Sequence, residues 1–581
     1  MILEKAGSSA KTSTSNAIKS MTQVSRTSEN DSKTTSGIQQ HRVHPLPVEC
    51  VYRGEGNANL VFALPYEHKV IRFRKSDPGE SSPDGGFSRV KRERDFIKVV
   101  LSSFLRPYLD VPEILRYDRT ELAKFSETIR SLRPEHRRFK EVVDAFATKF
   151  PDYAFLPEFL NCKEEVPGRS KSTFCVEIKP KQGFLCKADQ KFRKCSYCLT
   201  QYYKLQKGTI SSRSNYCPLD LFSGESDRMR RALKSLLEDP QNNLKIFKDG
   251  VVVFDQDSET NDLKSVFREW FPGATETAGS NLADKHFDLF FALVREALLR
   301  EFPNEGQDTR DSGRSPMSFE ISPDIEVPSR LSPEIVAKTK KLLYFTNEEC
   351  DLTSTDLPQG SVLERILEIQ RLHCHGADVI YWIFSKFSPI LDNEIIYSSL
   401  IDIYESRENI PHWTHLAKSI KSLLISDQYH SVKEDINEKE VEIFIDDPIV
   451  IQNHRNSSKQ KIRESLTAED KNIIGNFPIE EQLAALENYL LFRTARDCSI
   501  LIAFQEINQN ESERVPETSL IEISKNLKFA VSVRISDLDP KSVHSIEKHR
   551  RRDLETLNAV IHIIEDELSH RNQNRVENSS L

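Results

Sequence analysis

The sequence contains one stretch, Cys175-Val-Glu-Ile-Lys-Pro-Lys-Gln-Gly-Phe184, in which an alternating apolar pattern runs into two lysines. The alternation is typical of a β-strand, and it puts Glu177, Lys179 and Lys181 on one side if the chain stays extended through Pro180. Pro180 fixes its own φ and disfavours a helix at the residue before it. Two ammonium groups about 6–7 Å apart suit a ligand that carries several phosphates. On spacing alone, a solvated strand end is the simpler explanation.

Five further segments place glycine, amide or acidic residues next to strands, turns or short helices. They are residues 52–61, 217–224, 241–247, 497–500 and 537–539. Together with 175–184, and in this order, they resemble the inositol-pentakisphosphate 2-kinases, which phosphorylate the axial 2-hydroxyl to make inositol hexakisphosphate. Each segment alone is weak evidence, but six in order across most of the chain make a specific match. The resemblance implies an α/β (α+β) fold of two kinase-like lobes, with a small N-lobe and a larger C-lobe that binds the inositol phosphate.

Composition limits the class of protein. The chain has 581 residues, of which 38% are hydrophobic and 29% charged, and this balance is typical of a globular protein with polar insertions. A net charge of −8 argues against a general nucleic-acid binder. No apolar run approaches the roughly 18 residues that span a bilayer, and the N-terminus lacks the apolar core of a signal peptide. Ten scattered cysteines therefore predict reduced thiols in the nucleus and cytoplasm.

The domain organisation follows from shifts in composition. Residues 1–45 are rich in Ser, Thr, Lys and Asn and are predicted to be disordered. Residues 46–170 are assigned to the N-lobe, with a glycine-containing loop followed by a mainly helical segment. Residues 171–568 are assigned to the C-lobe, in which 304–333 and 405–475 are predicted flexible insertions. A frayed tail is predicted at 569–581.

Residues 51–73, with a glycine-containing turn and two predicted strands, 60–64 and 70–73, are the candidate nucleotide loop. Glycine lets the backbone approach a phosphate closely, although an ordinary hairpin turn has the same pattern. Arg72 on the second strand is a permanent cation, and Glu93 on the following helix is its candidate partner. The resemblance assigns eight residues to the nucleotide: Gly54, Gly56, Asn57, Asn59, Arg72, Glu177, Asn243 and Lys245.

Acidic residues follow or precede two strands near the C-terminus. Asp497 lies at a predicted helix-to-strand turn, where a carboxylate can accept a proton from a bound hydroxyl. Asp537 and Asp539 end another strand at positions i and i+2, a pattern that suits Mg²⁺ when phosphates supply further oxygens. Each motif alone is also explained by a capped turn. The resemblance implies that Asp497 is catalytic together with Lys179, and that Asp537 and Asp539 bind the metal.

Substrate contacts are assigned by the resemblance alone. It implies that five residues bind the inositol phosphate: Arg133, Lys181, Lys204, Asn242 and Lys541. The chain departs from the family pattern at four positions where a basic side chain is common, namely Asp77, Ser196, Thr200 and Ser545.

Cys195-Ser-Tyr-Cys198 has the spacing of a zinc knuckle. No second Cys-x-x-Cys or matched His pair lies near it in sequence, so two incidental thiols at a helix start are the favoured interpretation. Plant members of the family carry a zinc site later in the chain, and residues 385–480 offer no counterpart. The predicted cofactors are therefore ATP and Mg²⁺, without zinc.

The function predicted from the resemblance is transfer of the ATP γ-phosphoryl group to the 2-hydroxyl of inositol 1,3,4,5,6-pentakisphosphate. The expected partners are ATP and inositol pentakisphosphate, with the protein acting as a monomer and without membrane or nucleic acid. Two alternatives stay open: a kinase of the same fold for another inositol phosphate, and a non-catalytic inositol-phosphate-binding scaffold.

Overall fold

The computed structural model describes residues 41–47, 49–56, 58–77, 80, 82–160, 171–186, 189–273, 282–301, 332–346, 349–353, 356–388, 391–405 and 479–579. Most of the predicted N-terminal tail and nearly all of both predicted insertions lie outside these ranges, as does Asn57. The described chain has a mixed α/β fold with two six-stranded sheets.

The first sheet is formed by the N-terminal part of the chain, in the order β1-β5-β6-β4-β3-β2. Only the β1–β5 pair is parallel. The strands are β1 (Val43–His44), β2 (Val51–Glu55), β3 (Asn59–Leu64), β4 (Lys69–Arg74), β5 (Glu113–Tyr117) and β6 (Phe146–Pro151). Their apolar faces bury Phe62, Phe73 and Phe125 in one cluster.

The prediction of a mainly helical segment between residues 105 and 170 is wrong. This region supplies β5 and β6, which fill the space between β1 and β4, and only one α-helix of more than one turn, Arg119–Thr128, in its described part. The alternation in β6 is short, and its pairing with β4 and β5 decides its conformation.

The second sheet is antiparallel throughout, in the order β11-β12-β10-β7-β8-β9. Its strands are β7 (Thr173–Ile178), β8 (Leu244–Lys248), β9 (Val251–Phe254), β10 (Ser499–Ile507), β11 (Leu520–Ser524) and β12 (Leu527–Ser536). Its two central strands, β7 and β10, are almost entirely buried because helices and loops cover both faces.

The helices follow the amphipathic patterns of the sequence, with two differences. They are α1 (Phe87–Asp95), α2 (Arg119–Thr128), α3 (Ser196–Gln206), α4 (Ser226–Glu238), α5 (Thr260–Trp270), α6 (Leu282–Leu299), α7 (Pro333–Thr346), α8 (Val362–Arg371), α9 (Ala377–Phe387), α10 (Asn393–Glu405), α11 (Ile479–Arg496) and α12 (Ser545–Ser579). α1 continues through a π-helical stretch, Phe96–Leu101, into a last α-helical turn, Ser102–Leu105. Single turns lie at Pro218–Leu221 and Gln509–Ser512.

The two differences concern helix ends. The segment predicted as one helix at 363–384 is divided into α8 and α9, and Gly376 is the N-cap of the second helix rather than the end of the first. The final helix, predicted at 553–568, is α12 and continues to Ser579, through part of the predicted tail. Among the described residues, no helix has the length and apolar character needed to cross a membrane.

Candidate active site

One edge of the second sheet gathers the polar residues singled out by the sequence. Because the sheet is antiparallel, the ends of β7 and β12 and the beginnings of β8 and β10 meet at the same edge. The register places Ile178 beside both Ile500 and Leu244, and Ser499 beside Ser536. The residues that follow or precede these positions therefore converge, although they are hundreds of residues apart in sequence.

Asp537 lies at the centre of this edge. Lys179 Nζ is 3.0 Å from Asp537 Oδ2, and Ser499 Oγ lies 2.9 Å from the same oxygen and 3.0 Å from Glu177 Oε1. Burial alone would raise the pKa of the Asp537 carboxyl, but Lys179, Arg72 and the Ser499 hydroxyl outweigh it and lower that pKa to about 2. Asp537 is therefore ionised at physiological pH. Ser499 lies in the segment 497–500 that the sequence singled out. Its position between Glu177 and Asp537 follows from the register of β7, β10 and β12 and could not be predicted from that segment.

Asp497 lies at the turn between α11 and β10, as predicted. Its Oδ2 is 3.3 Å from Lys541 Nζ. Burial opposes ionisation of Asp497, but Arg493, Lys541 and Arg496 outweigh it and hold the pKa of this carboxyl well below its usual range. The two arginines were not predicted as site residues, although both lie in the last turn of α11, directly before Asp497 in the sequence.

The lysines reach the site from a turn rather than from an extended strand. β7 ends at Ile178, and Lys181 has a φ of 64°, so the expected alternation through Pro180 does not continue. Burial, with the charges of Lys179 and Lys204, lowers the pKa of the Lys181 ammonium to about 8 despite the nearby carboxylate of Asp497. An anionic ligand would relieve this repulsion between cations.

Helices on either side hold these lysines. Lys204, in the last turn of α3, donates to Gln241 Oε1 at 3.0 Å, and burial together with Arg552 lowers the pKa of its ammonium. Gln370 of α8 donates through Nε2 to the Lys181 carbonyl at 2.9 Å and accepts from Gly183 N at 2.8 Å. Gln241 lies in the segment 241–247 that the sequence singled out, but no role was assigned to it. Gln370 was not predicted, because it lies outside all six segments.

The amides before β8 lie beside β7. The buried Asn243 accepts from Lys179 N at 2.8 Å through its backbone carbonyl, and its Nδ2 donates to Tyr197 Oη at 2.9 Å. Its Oδ1 has no donor in the part of the chain that the structure describes. Asn242 is exposed. Lys245 lies opposite Glu177 in the register of β8 and β7.

Two residues of the first sheet that are predicted to bind the nucleotide, Arg72 and Asn59, contact Asp539, which follows β12 of the second sheet. Arg72 Nη2 lies 2.8 Å and 2.7 Å from the two carboxylate oxygens of Asp539, and Asn59 Nδ2 donates to Asp539 Oδ2 at 2.7 Å. The prediction that Glu93 pairs with Arg72 is wrong, since the ion pair of Glu93 is with Arg74, at 4.0 Å. Burial and the charge of Asp539 raise the pKa of the Glu93 carboxyl to about 7.

The glycine turn lies between β2 and β3, with Gly56 N donating to Asn59 O at 2.9 Å. A Cβ built on Gly54 or Gly56 would meet nothing within 4 Å, so space is open beside both. Gly54 has a φ of 152°, at the edge of the region that favours glycine.

The hydrogen bonds and ion pairs of Arg133 with the described residues join it to the region of the first sheet, not to the edge of the second sheet. It is only 2% exposed, and its guanidinium donates to both carboxylate oxygens of Glu55 at 3.0 Å. Further donations go to the carbonyls of Lys140 and Arg137, while Lys75 pairs with the same Glu55. Protein acceptors thus occupy the guanidinium, and its predicted contact with a substrate phosphate stays a prediction.

Ionised carboxylates beside clustered lysines, with a glycine turn and an arginine joined to them through Asp539, are the parts of a phosphotransferase site. The comparison with known families agrees. The chain belongs to the inositol-pentakisphosphate 2-kinase family, whose family model matches residues 52–555.

One named relative matches over most of its length, and two others over about half. The chain is similar to an inositol-pentakisphosphate 2-kinase of Danio rerio, with 28% identity over 532 residues that cover 87% of this chain and 92% of the relative. It is similar to the Drosophila melanogaster protein of the same name, with 27% identity over 39% of this chain and 52% of the relative. The rice protein, from Oryza sativa subsp. indica, is 31% identical over 36% of this chain and 53% of the relative.

Proposed function

We propose that the protein is an ATP-dependent kinase that phosphorylates the 2-hydroxyl of inositol 1,3,4,5,6-pentakisphosphate and releases inositol hexakisphosphate. Family membership supports the reaction class. The observation that carries the proposal is the ion pair of Lys179 with Asp537 at 3.0 Å, within reach of the charge of Asp497. The two sheets would then correspond to the two lobes of a kinase.

Asp497 is proposed to orient the substrate hydroxyl. A carboxylate with so low a pKa is a weak base, so its main contribution is to accept the hydroxyl hydrogen bond and aim the oxygen at the γ-phosphorus. This fits phosphoryl transfer, whose loose transition state needs positioning more than early proton removal. Lys541, paired with Asp497, would hold a substrate phosphate beside the reacting hydroxyl.

The nucleotide is proposed to lie between the glycine turn and the edge of the second sheet. Open space at Gly54 and Gly56 admits phosphates close to the backbone. Arg72 and Lys179 supply cations, and Asn59, Glu177 and Lys245 offer polar groups nearby. Asn57, assigned to the same role, lies outside the described residues.

The donor set fits a magnesium ion. Asp537 is ionised, and the buried Asn243 Oδ1 lacks a donor among the described residues, so both are available as acceptors. When bound, Mg²⁺ would neutralise charge on the transferring phosphates. Asp539, the second predicted ligand, already accepts from Arg72 and Asn59, and we propose that it serves mainly to join the two sheets.

The inositol phosphates are proposed to contact Lys181, Lys204, Lys541 and the exposed Asn242. Each charge-assisted contact contributes about 1.5–3 kcal/mol. The pKa of Lys181 is lowered first by burial and then by the charges of Lys179 and Lys204, which indicates a site that is incomplete without a polyanion. That the protein is a monomer, and that it acts in the nucleus and cytoplasm, stay predictions.

The direct test is turnover. Purified protein is incubated with Mg-ATP and a panel of inositol phosphates, and products are separated by anion-exchange chromatography. We expect inositol hexakisphosphate from the pentakisphosphate with a free 2-hydroxyl. Faster turnover of substrates with fewer phosphates would overturn the substrate assignment.

Asp497→Asn separates catalysis from binding. The amide keeps the shape, but it is a weaker acceptor and cannot take the proton that the hydroxyl loses during transfer, so we expect kcat to fall by about 10²–10⁴. Substrate affinity, measured by calorimetry, should be unchanged or tighter because a negative charge among the lysines is removed. A kcat within a few-fold of the wild type would remove Asp497 from the mechanism.

A further inference from the structure

A helix that carries none of the proposed catalytic or binding residues holds the chain segment around Lys541. β12 ends at Ser536 and α12 begins at Ser545, so Lys541 lies in an irregular segment between them. Tyr397 of α10 donates its hydroxyl to the Lys541 carbonyl at 2.7 Å. The backbone of a proposed substrate contact is therefore tied to a neighbouring helix.

Asn393, one helical turn before Tyr397, ties the same segment at two further points. Its Oδ1 accepts from Val543 N at 2.8 Å, and its Nδ2 donates to Ser542 Oγ at 3.3 Å. Residues four apart lie on one face of a helix, so α10 presents both side chains to the same segment. Three consecutive residues, 541–543, are thereby fixed relative to α10.

Tyr397 is itself held in place. It is only 1% exposed, and its ring makes an edge-to-face contact with Phe96, with the ring centroids 5.1 Å apart. Burial raises the pKa of its hydroxyl, which therefore stays protonated at physiological pH and remains a hydrogen-bond donor. Because a buried hydroxyl without a partner is costly, the bond to the Lys541 carbonyl is a fixed feature of the fold.

α10 is in turn anchored to α1. Glu394 forms an ion pair with Arg92 of α1, and Phe96 begins the π-helical stretch that continues α1. The position of Lys541 is therefore set through α10 by a helix that lies more than 400 residues earlier in the sequence.

We propose that Tyr397 and Asn393 are positioning residues, which hold Lys541 where its ammonium group meets both Asp497 and a phosphate of the bound substrate. Lys541 Nζ lies 3.3 Å from Asp497 Oδ2, at the end of a flexible side chain whose starting point is the backbone that α10 fixes. Both residues act through that backbone rather than on the substrate itself.

The positioning role rests on the proposed function and adds to it two residues that the sequence did not single out. Displacement of a binding group by about 1 Å is enough to weaken an aligned site, so the loss of a backbone anchor should be visible in substrate binding. A purely structural role would instead appear only in the stability of the fold. The two roles therefore differ in which measured quantity changes.

Tyr397→Phe tests the proposal, because it removes the hydroxyl and keeps the ring against Phe96. Loss of one hydrogen bond corresponds to about a three- to tenfold change, so we expect the KM for inositol pentakisphosphate to rise by about that factor. The KM for ATP should stay within about twofold of the wild-type value, which is less than the effect of one hydrogen bond. A lower urea midpoint with both KM values unchanged would overturn the proposal.

Tyr108→Phe is the matched control. Tyr108 is also 1% exposed, and its hydroxyl donates to the Gly360 carbonyl at 2.6 Å, outside the segment that carries Lys541. We expect this variant to lower the urea midpoint by a similar amount and to leave the KM for inositol pentakisphosphate unchanged. An equal rise in this KM for both variants would reflect general destabilisation and would contradict a positioning role.

A double-mutant cycle shows whether the effect passes through Lys541. In the Lys541→Gln background, Tyr397→Phe should change the KM for inositol pentakisphosphate by less than about twofold, because the group that it positions is gone. Full additivity of the two substitutions would overturn the proposal. Asn393→Ala, which leaves Tyr397 in place, should raise the same KM, and an unchanged value would remove Asn393 from the positioning role.

Calorimetry with inositol pentakisphosphate in the absence of ATP separates this proposal from the proposed function. Wild-type protein that neither binds nor phosphorylates the pentakisphosphate would count against the proposed function. Active wild-type protein whose affinity is unaltered by Tyr397→Phe would count against the positioning role alone.

Discussion

Lys181 is the site residue whose charge depends most on its surroundings. Its ammonium is buried next to Lys179 and Lys204, and Asp497 compensates only in part, so its pKa is about 8. A bound polyanion favours the protonated form and raises this pKa. Substrate affinity must therefore depend on pH in a range set by Lys181.

We predict that the ionisation of Lys181 leaves the KM for inositol pentakisphosphate constant below about pH 8, where the ammonium is charged, and that KM rises above this pH. The free protein loses the charge as pH rises through its pKa, and each further pH unit weakens binding up to about tenfold. Lys181→Gln should raise KM roughly tenfold or more at pH 7 and abolish this rise. KM is measured for both proteins from about pH 6.5 to 9.5 at saturating ATP.

The comparison with Lys181→Gln is needed because the substrate phosphates titrate as well, and they do so equally with both proteins. An identical pH profile for the two would show that Lys181 does not contribute its charge to binding.

Among the secondary-structure elements, it is the ends of strands, rather than whole strands, that form the site. β7, β8, β10 and β12 present their polar neighbours at a single edge, and α8 supports that edge from the side through Gln370. The turn it supports is tight, since a Cβ on Gly183 would overlap the Phe222 ring. The turn is therefore fixed by packing and by two hydrogen bonds.

We predict that Gln370→Leu lowers the free energy of unfolding by about 2–4 kcal/mol and raises the KM for the inositol phosphate. Gln370 is fully buried, and its loss leaves the Lys181 carbonyl and the Gly183 N–H without their partners. Urea denaturation gives the stability. Gln256→Leu, at an exposed turn, is the control and should change stability by no more than about 0.5 kcal/mol. Equal effects of the two substitutions would contradict the role of Gln370.

Sequence patterns predicted these elements to an uneven degree. β3, β7, β10 and β12 have strong alternation or apolar runs, and the structure has strands at each. β5 and β6 were missed because their short patterns become strands only through pairing with their neighbours. The register that joins Ser499 to Glu177 and Asp537 could not be predicted, since a single strand carries no information about its partner.

At the scale of the whole molecule, Asp539 joins the two sheets at the site. This carboxylate follows β12 of the second sheet and accepts from Arg72 and Asn59 of the first. Arg72 thus has two roles in the proposal, to contact nucleotide phosphates and to hold the sheets in position. The sequence singled out both Arg72 and Asp539 but not their pairing, because charge complementarity between distant segments has no local signal.

We predict that Arg72→Ala raises the KM for ATP roughly tenfold or more, because it removes a phosphate cation. Stability should change by only about 1 kcal/mol or less, since the pair with Asp539 is partly exposed. Arg74→Ala, on the same strand and paired with Glu93, should have a much smaller effect on KM. An Arg74 effect as large as that of Arg72 would show that general positive charge, rather than this pair, matters.

The central position of β10 has a consequence for biosynthesis. Glu177 of β7 and its neighbour Ser499 of β10 are separated by 322 residues. At a translation rate of roughly 5–20 residues per second, the open edge of β7 waits about 15–60 s on the ribosome before its permanent partner emerges. An apolar strand with an unpaired edge is prone to pair with other chains. Nascent chains of this protein should therefore require chaperones, and products truncated before β10 should aggregate rather than persist as smaller folded proteins.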